Sequence, residues 1–357
     1  MTKLAQRHQQ VIGFLLVAIA LAALPWVAGL IGNSWVRILN IALLYVMLAL
    51  GLNIVVGFAG LLDLGYIAFY AVGAYVYGLL ASPHLTDNFE TIATLFPDGL
   101  HLSIWLMIPL GALIAALFGV LLGAPTLRLR GDYLAIVTLG FGEIIRLFLN
   151  NLNAPVNITN GPQGINMIEP VQIAGVRFSR TVDLFGVEVP ALHLYYYLFL
   201  ALTLLIIVVC IRLQDSRIGR AWTAIRDDEI AAKSMGINTR NMKLLAFALG
   251  ASFGGVAGAM FSAFQGFVSP ESFGLMESII VLCMVVLGGM GHIPGVILGA
   301  LLLAGFPEML RQVVTPVQEF LFGSVLVDAE ILRSLIYGLT MVLVMLYRPA
   351  GLWPKHK

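Results

Sequence analysis

The chain has little charge. Charged types make up 11% of its 357 residues and hydrophobic types 60%, whereas a soluble domain usually has about a quarter charged residues. This composition excludes a large soluble domain and favours a membrane protein. The net charge of +1 and the lack of a basic run argue against a nucleic-acid partner. The two cysteines, Cys210 and Cys283, lie in apolar runs, so a disulfide framework is excluded as well.

Motifs for phosphate and metal binding are missing too. The chain has five lysines and none of them follows a glycine, so it contains no Gly-x4-Gly-Lys-Ser/Thr loop for a nucleotide phosphate. His292 and Pro294 predict a turn between two spans, because no second histidine or cysteine stands at metal-ligand spacing. We therefore expect no nucleotide cofactor, no metal and no enzymatic activity in this chain.

Ten apolar stretches are candidate membrane spans, each of which needs about 20 residues. They are Val11–Ile31, Val36–Val56, Gly60–Leu80, Ser103–Gly123, Tyr133–Asn150, Leu192–Arg212, Leu244–Phe264, Met276–Met290, Ile293–Leu310 and Ile331–Tyr347. Glycine-rich stretches at 57–65 and 288–295 predict broken helices, so eight spans with two re-entrant segments fit nearly as well. Gly250, Gly254 and Gly258 predict close helix packing. The predicted fold is all-α and polytopic, with eight to ten transmembrane or re-entrant helices in one domain, residues 1–357.

Loop charges orient the spans. With a cytoplasmic N-terminus, about 14 of the 20 Lys and Arg residues fall on the cytoplasmic side, as the positive-inside rule requires. Both termini are then predicted to be cytoplasmic. Residues 151–191 form the longest outer loop, and its turn-forming and β-branched residues predict a cap with hairpins. Residues 213–242 form the most polar inner loop.

The inner loop contains a candidate helix. Arg220 to Met235 has no Pro or Gly, Ser216 or Asp215 could cap its start, and Gly236 stands where a helix-ending glycine is expected. Its small apolar face consists of Ala221, Ala224, Ile225 and Ala232. Such a helix suits a groove on another protein, with its charges fixing the register. A solvated loop whose charges only hold the topology fits the same residues.

The inner loop resembles the coupling loop of ABC importer permeases, in which Glu-Ala-Ala is followed by three residues and a glycine. Ile230-Ala231-Ala232 and Gly236 have that spacing, and Glu229 stands one place before the expected acid. The branched-chain amino acid branch reads A-x-R-D-x-E-x-A-A-x3-G-I, which fits Ala224, Arg226, Asp227, Glu229, Ala231, Ala232, Gly236 and Ile237. Four more segments resemble the larger permease of that family: Gly51–Tyr75, Leu127–Arg146, Thr159–Ile165 and Leu287–Ala300.

This resemblance implies a permease subunit that carries leucine, isoleucine and valine across the bacterial inner membrane. It implies a heterodimer with a sister permease, two ATPase subunits that bind Mg-ATP on the inside, and a periplasmic amino-acid-binding protein. The residues implied in ATPase coupling are Arg220, Ala224, Arg226, Asp227, Glu229, Ala231, Ala232 and Gly236. The membrane lipid is the remaining partner.

Ionisable residues within the predicted spans are few, and each is a candidate for the substrate pathway. Glu143 lies about 11 residues beyond Asp132, at a depth of about 16 Å, and can pair with Arg146. This pair is either structural or lines a pathway for a zwitterionic solute. We expect that neutralising Glu143 alone harms transport more than removing both partners.

The first glycine-rich break supplies the other pathway candidates. Asp63 lies just after Gly57 and Gly60, where it either caps a helix beginning at Leu64 or belongs to a break with exposed backbone amides. Asn53 is a further polar candidate for the pathway.

Two other classes of protein compete with an ABC permease. An ion-coupled secondary transporter of a small polar or amino acid solute could use Glu143 and Asp63 as proton carriers, and its independence of ATP would distinguish it. An intramembrane enzyme would need a Ser/His pair or two aspartates at membrane depth, and no such pair is apparent.

Overall fold

The computed structural model describes residues 2–96, 100, 102–126, 129, 131–173, 175–184, 186–322, 329–348 and 351–353. Its α-helices are α1 (Thr2–Ile31), α2 (Asn33–Asn53), α3 (Ile67–Leu80), α4 (His84–Asn88), α5 (Glu90–Leu95), α6 (Ile104–Thr126), α7 (Asp132–Asn151), α8 (Ala191–Gln214), α9 (Arg217–Asp227), α10 (Glu229–Ser234), α11 (Thr239–Gln265), α12 (Leu275–Gly288), α13 (Ile293–Phe322) and α14 (Ala329–Tyr347). Of the predicted motif Leu127–Arg146, residues 127, 128 and 130 lie outside the described residues.

The prediction of an all-α, polytopic membrane fold is confirmed. Each predicted span coincides with a helix longer than 13 residues. Within the described residues, five helical stretches are long and apolar enough to cross a membrane. They are Asn33–Phe58, Ile104–Thr126, Ala191–Gln214, Thr239–Gln265 and Pro270–Gly288. Leu16–Ile31, Ile67–Leu80 and Ile293–Phe306 are shorter apolar helical stretches.

The long loop between α7 and α8 carries two small hairpins, which confirms the predicted hairpin structure. β1 (Gln172–Ile173) pairs antiparallel with β2 (Val176–Arg177), and β3 (Val182–Leu184) pairs with β4 (Val187–Val189). We use "outer" for the side that carries these hairpins and "inner" for the side that carries α9 and α10.

Helix α11 lies at the centre of the bundle, between α2, α3 and α6, and its glycines allow close contact. A Cβ at Gly258 would collide with the carbonyl oxygen of Tyr70 on α3, and one at Gly255 would lie 2.6 Å from the Cβ of Ala115 on α6. The predicted close packing along this glycine stripe is therefore confirmed. Small residues occupy these helix contacts because helices in lipid associate through van der Waals packing, which requires their backbones to come close together.

Two spans are interrupted. α2 continues through a π-helical turn, Ile54–Phe58, and residues 59–66 are then non-helical until α3 begins. The third span was predicted from Gly60, and that prediction is wrong by seven residues, because the chain at Gly60 has a positive φ of 69°. α12 follows a similar non-helical stretch, residues 266–274, with one 3-10 turn, Pro270–Phe273.

Both short helices start inside the bundle. The backbone N–H of Ile67, at the start of α3, donates to Ser278 Oγ in the first turn of α12 at 3.2 Å. Tyr66 Oη donates to the carbonyl of Gly250 on α11 at 3.0 Å. At 1.5 Å per residue, Gly250 lies about 16 Å from the inner end of α11, which is roughly halfway along that helix. The N-termini of α3 and α12 therefore meet near the middle of the bundle.

Candidate functional site

The inner segment, residues 215–238, is made of two helices. Ser216 Oγ caps α9 by accepting from Ile218 and Gly219, and the Asp228 side chain caps α10 by accepting from Ile230 and Ala231. The prediction of one helix from Arg220 to Met235 is therefore wrong. Asp228 adopts an extended backbone and starts a new helix, as an N-cap aspartate does.

The start of α9 and the end of α10 are marked by residues that the sequence analysis predicted. Of the two candidate caps, Ser216 is the one used. Gly236 follows α10 with a φ of 84°, a conformation that glycine adopts without steric cost. The predicted helix stop at this glycine is confirmed.

The apolar face of the inner segment points mostly into its own chain. Ile225 and Ala232 are buried, together with Trp222, whose Nε1 donates to the carbonyl of Met242 at 2.7 Å. The prediction that Ile225 and Ala232 form an outward docking face is therefore wrong, because these side chains hold the segment against α11. Ala221 and Ala224 are half-buried.

The outward surface of the inner segment is different from the predicted one. Ile230 and Met235 are large apolar side chains that point outward. Neither was predicted to couple to the ATPase. Of the residues with a predicted coupling role, those exposed are Arg220, Arg226, Asp227, Ala231 and Gly236. A mixed apolar and charged surface of this kind is typical of protein contacts.

Lys243 and Glu229 join the inner segment to α11. Lys243 Nζ lies 2.7 Å from Glu229 Oε1, and the side chains are 5% and 26% exposed. The charge of Lys243 is therefore almost wholly inside the protein and compensated there. Glu229 was predicted to couple to a partner, and the structure shows it bound to its own chain.

Arg226 reaches from the inner segment to the first interruption. Its Nη1 donates to the carbonyl of Gly57 at 2.5 Å, at the end of the π-helical turn. Its aliphatic part lies against Gly60, where a Cβ would lie 2.5 Å from Arg226 Cγ. A side chain at position 60 would displace the arginine, so the glycine makes this contact possible. A predicted coupling residue and two predicted pathway residues are thus in direct contact.

The two glycine-rich stretches also touch each other, but the second is not the predicted broken helix, because residues 289–292 form the turn between α12 and α13. Asn53 Oδ1 accepts from the backbone N–H of Gly291, in the turn between α12 and α13, at 2.8 Å. A Cβ at Gly57 would collide with Asn53 Oδ1 and approach Gly291 N to 2.5 Å. Beside Arg226 lies a cavity of about 590 Å³. Its lining includes Phe58, Arg220, Thr223, Asp227, Met290 and Gly291.

Asp63 is buried in the first interruption. Its Oδ1 accepts from Gly65 N at 2.9 Å, while Leu64 N donates to Thr138 Oγ1 on α7 at 3.0 Å. The suggested helix start at Leu64 is wrong, since α3 begins at Ile67 and Asp63 caps the turn before it. Among the described residues, Asp63 Oδ2 has no hydrogen-bond partner.

Glu143 and Arg146 form the predicted pair on α7, with a third member. Arg146 Nη2 lies 2.6 Å from Glu143 Oε1, and Arg146 Nη1 lies 3.1 Å from Glu271 Oε2 in the 3-10 turn before α12. We call Glu143, Arg146 and Glu271 the charged triad. Their side chains are 42%, 25% and 67% exposed. The guanidinium therefore bridges two carboxylates at the surface of this chain.

The charged triad lies close to the level at which α3 and α12 begin. Gly142, one residue before Glu143, packs on Gly65, and a Cβ at Gly142 would lie 3.2 Å from Gly65 Cα. Nearby, Glu277 in the first turn of α12 accepts from Tyr45 Oη at 2.8 Å. Sequence reasoning missed both Glu271 and Glu277, although Glu277 lies within the predicted span Met276–Met290 and Glu271 lies just before it.

The sequence comparisons agree with one another. The family described as "Branched-chain amino acid transport system / permease component" matches residues 34–345. The chain is 42% identical over 353 residues to the high-affinity branched-chain amino acid transport system permease protein LivM of Escherichia coli K12, covering 95% of this chain and 74% of that protein. LivM of Salmonella typhimurium is equally similar, with the same identity and coverage.

A second permease of the same transport system is also similar. LivH of Escherichia coli K12 is 26% identical over 312 residues, which covers 86% of this chain and 90% of LivH. Two unlike but homologous permeases indicate a paired permease system. No solved structure matches the chain significantly.

Proposed function

The chain belongs to the family of permease components of branched-chain amino acid transport systems, and from this premise we propose that it carries leucine, isoleucine or valine across the bacterial inner membrane as one subunit of an ABC importer. It is a multi-pass transport subunit and not an enzyme. In this proposal two separate ATPase subunits bind and hydrolyse Mg-ATP on the inner side, and this chain holds no cofactor. A periplasmic binding protein delivers the amino acid to the outer side.

The observation that carries the proposal is the contact between Arg226 and Gly57. Through it, the inner segment is bonded to the last turn of an interrupted membrane helix. An ATPase that moved the inner segment would therefore pull directly on the backbone where α2 stops being helical. Interrupted helices form the substrate sites of many transporters, so movement at this point can act on the substrate pathway.

The outward residues of the inner segment are proposed as the ATPase contact. Ile230 and Met235 supply apolar area that is exposed in this chain, and Ala231 lies between them. Arg220 and Asp227 add charges that can fix the register of docking. Lys243 and Glu229 keep the segment rigid, so that a push on its surface is transmitted.

The pathway residues fall into two groups. Glu143 and Arg146 are open to the outside of the chain, and we propose that they line the route of the zwitterionic amino acid where this chain meets the second permease. Asn53, Gly57 and Asp63 are buried, and Gly60 is exposed and lies against Arg226. We propose that these four shape the interruption through which the route opens.

A crosslinking experiment tests the assignment. A cysteine at Ala231, which is exposed, is compared with one at Ala232, which is buried in the same helix. The native Cys210 and Cys283 are both buried, so they contribute little background. In membranes that contain the whole transporter, a thiol crosslinker should join position 231 to the ATPase and leave position 232 unreacted.

Uptake completes the test. Leucine accumulation in proteoliposomes should require ATP inside and the binding protein outside, and an imposed proton or sodium gradient should not replace ATP. Failure to crosslink position 231 to an ATPase in any nucleotide state, together with uptake driven by an ion gradient, would establish a secondary transporter instead.

A further inference from the structure

In a chain on its own, the charged triad would face lipid without protein or water to solvate its charges. It lies near the middle of the bundle, and its side chains are 25% to 67% exposed. A membrane-spanning chain alone would turn this surface toward lipid, where an exposed charge costs several kcal/mol. With two carboxylates and one guanidinium, the triad also has a formal charge of −1. Protein or water must therefore cover it in the working transporter.

The rest of α7 shows how a partner could cover it. Seven residues form one outward stripe at helical spacing, which we call the α7 face: Tyr133, Ile136, Val137, Gly140, Ile144, Leu147 and Phe148. The large side chains of this stripe are exposed. At its centre, a Cβ on Gly140 would meet nothing within 4 Å. A glycine in the middle of an apolar stripe lets another helix approach closely.

Helix α6 offers the contrast. Its outward side chains Trp105, Leu106, Leu113, Leu117 and Leu121 are as exposed as those of α7. The helix contains no charged residue along its whole length, Ile104–Thr126. That surface suits lipid without any partner. The α7 face differs because the charged triad stands beside it.

We propose that the α7 face and the charged triad form the surface that binds the second permease of the pair. The inference rests on the proposed function, because it takes the chain to work beside a homologous permease. The occupant is a helix of that subunit which packs over Gly140 and presents a basic side chain to the triad, whose formal charge of −1 it neutralises. Apolar contact below the triad and charge pairing at the triad then form one continuous interface.

A photoreactive benzophenone amino acid at Ile144 tests this interface. Leu113 on α6 is the matched control, because both are aliphatic and both are exposed, by 56% and 68%. In membranes with the whole transporter, irradiation should join position 144 to the second permease and leave position 113 attached only to lipid. An adduct from position 113 and none from 144, or equal adducts from both, would overturn the proposal.

One control separates this inference from the proposed function. The ATPase adduct from position 231 reports whether the complex is assembled in the same membranes. If that adduct forms and position 144 gives no permease adduct, the interface is wrong and the proposed function stands. If neither adduct forms, the proposed function fails and the interface fails with it.

Gly140→Leu provides an independent measurement. The substitution meets open space within this chain and raises helix propensity, so the chain itself should insert and fold normally. A leucine would hold off a helix packed over position 140. Co-purification of the second permease should therefore fall at least tenfold, whereas Leu113→Trp on α6 should leave it unchanged. Full co-purification with Gly140→Leu would overturn the proposal.

Discussion

Two clusters of charged residues in this chain differ in burial, and each differs from what its depth in the membrane would favour. At the inner end, where water is near, Lys243 is only 5% exposed and is paired with Glu229 inside the protein. Halfway along the bundle, where lipid surrounds a single chain, Glu143, Arg146 and Glu271 are open to the outside. The first cluster is complete within one chain, and the second is not.

This contrast indicates different roles. The buried pair joins two elements of the same chain, because Lys243 on α11 holds Glu229 on α10. A charge cluster that is exposed at membrane depth is functional by default, because lipid alone would select against it. The following predictions test whether the first cluster attaches the inner segment to α11 and whether the second cluster contacts the second permease.

Removing Arg146 should have the largest effect. Arg146→Leu leaves Glu143 and Glu271 as two carboxylates without their shared cation. Two carboxylates at membrane depth without a cation are costly to keep charged, so uptake should fall roughly a hundredfold. Co-purification of the second permease should fall in parallel, while the ATPase adduct from position 231 persists.

The matched variant for this prediction is Arg146→Lys. It keeps the positive charge but cannot hold two carboxylates with a planar guanidinium, so partial uptake should return. If Arg146→Leu transports as well as the unaltered chain, the triad has no role in transport, and the difference in burial between the two clusters has no functional meaning.

Removing Lys243 should have the next largest effect and a different pattern. Lys243→Met leaves Glu229 next to water, which can partly solvate it, so α10 loosens without collapse of the fold. We expect uptake and the ATPase adduct from position 231 to fall roughly tenfold, equivalent to about 1.4 kcal/mol. Co-purification of the second permease should not change.

A double variant sharpens this second prediction. Lys243→Met with Glu229→Gln removes both charges, so it should transport better than Lys243→Met alone, as a double-mutant cycle would report for a structural pair. A double variant that is worse than both single variants would contradict a purely structural role for Lys243.

Much of the fold could be predicted from the sequence because its causes are local. Apolar runs place the spans, and Ser216 and Gly236 mark the two ends of the inner segment by their capping chemistry. The break at Asp228 was missed although aspartate is a strong N-cap, because Asp227, Asp228 and Glu229 in a row also suit a continuous exposed helix.

The contacts that define the site could not be predicted in the same way. Arg226 and Gly57 are 169 residues apart, and Arg146 and Glu271 are 125 residues apart. No periodicity or spacing within a sequence encodes such a distance. The resemblance to a family identified Arg226 and Gly57 separately, and only the packing of α9 under the interrupted span brings them together.

Neutralising Glu143 should have a moderate effect, and the structure reverses the order expected from the sequence. With Glu143→Gln, Arg146 keeps Glu271 as a partner, so the ion pair that joins α7 to the turn before α12 survives. Removing both Glu143 and Arg146 abolishes that ion pair, and the proposed basic side chain of the second permease is then the one cation left for Glu271. We therefore expect a severalfold loss of uptake for Glu143→Gln and a greater loss for the double variant with Arg146→Gln. The reverse order would show that Glu271 does not compensate Arg146.

The smallest effect is expected at Asp228, which connects the two halves of the inner segment. Its Oδ1 accepts from Ile230 N at 2.8 Å and from Ala231 N at 3.0 Å. Asp228→Ala removes an N-cap worth about 1 kcal/mol, whereas Asp228→Asn can still accept these bonds. Since Lys243 and Trp222 continue to hold the segment, uptake should fall only about twofold to fivefold with alanine, and should stay near normal with asparagine. Equal losses for both variants would mean that the charge of Asp228, and not its cap, matters at the ATPase contact.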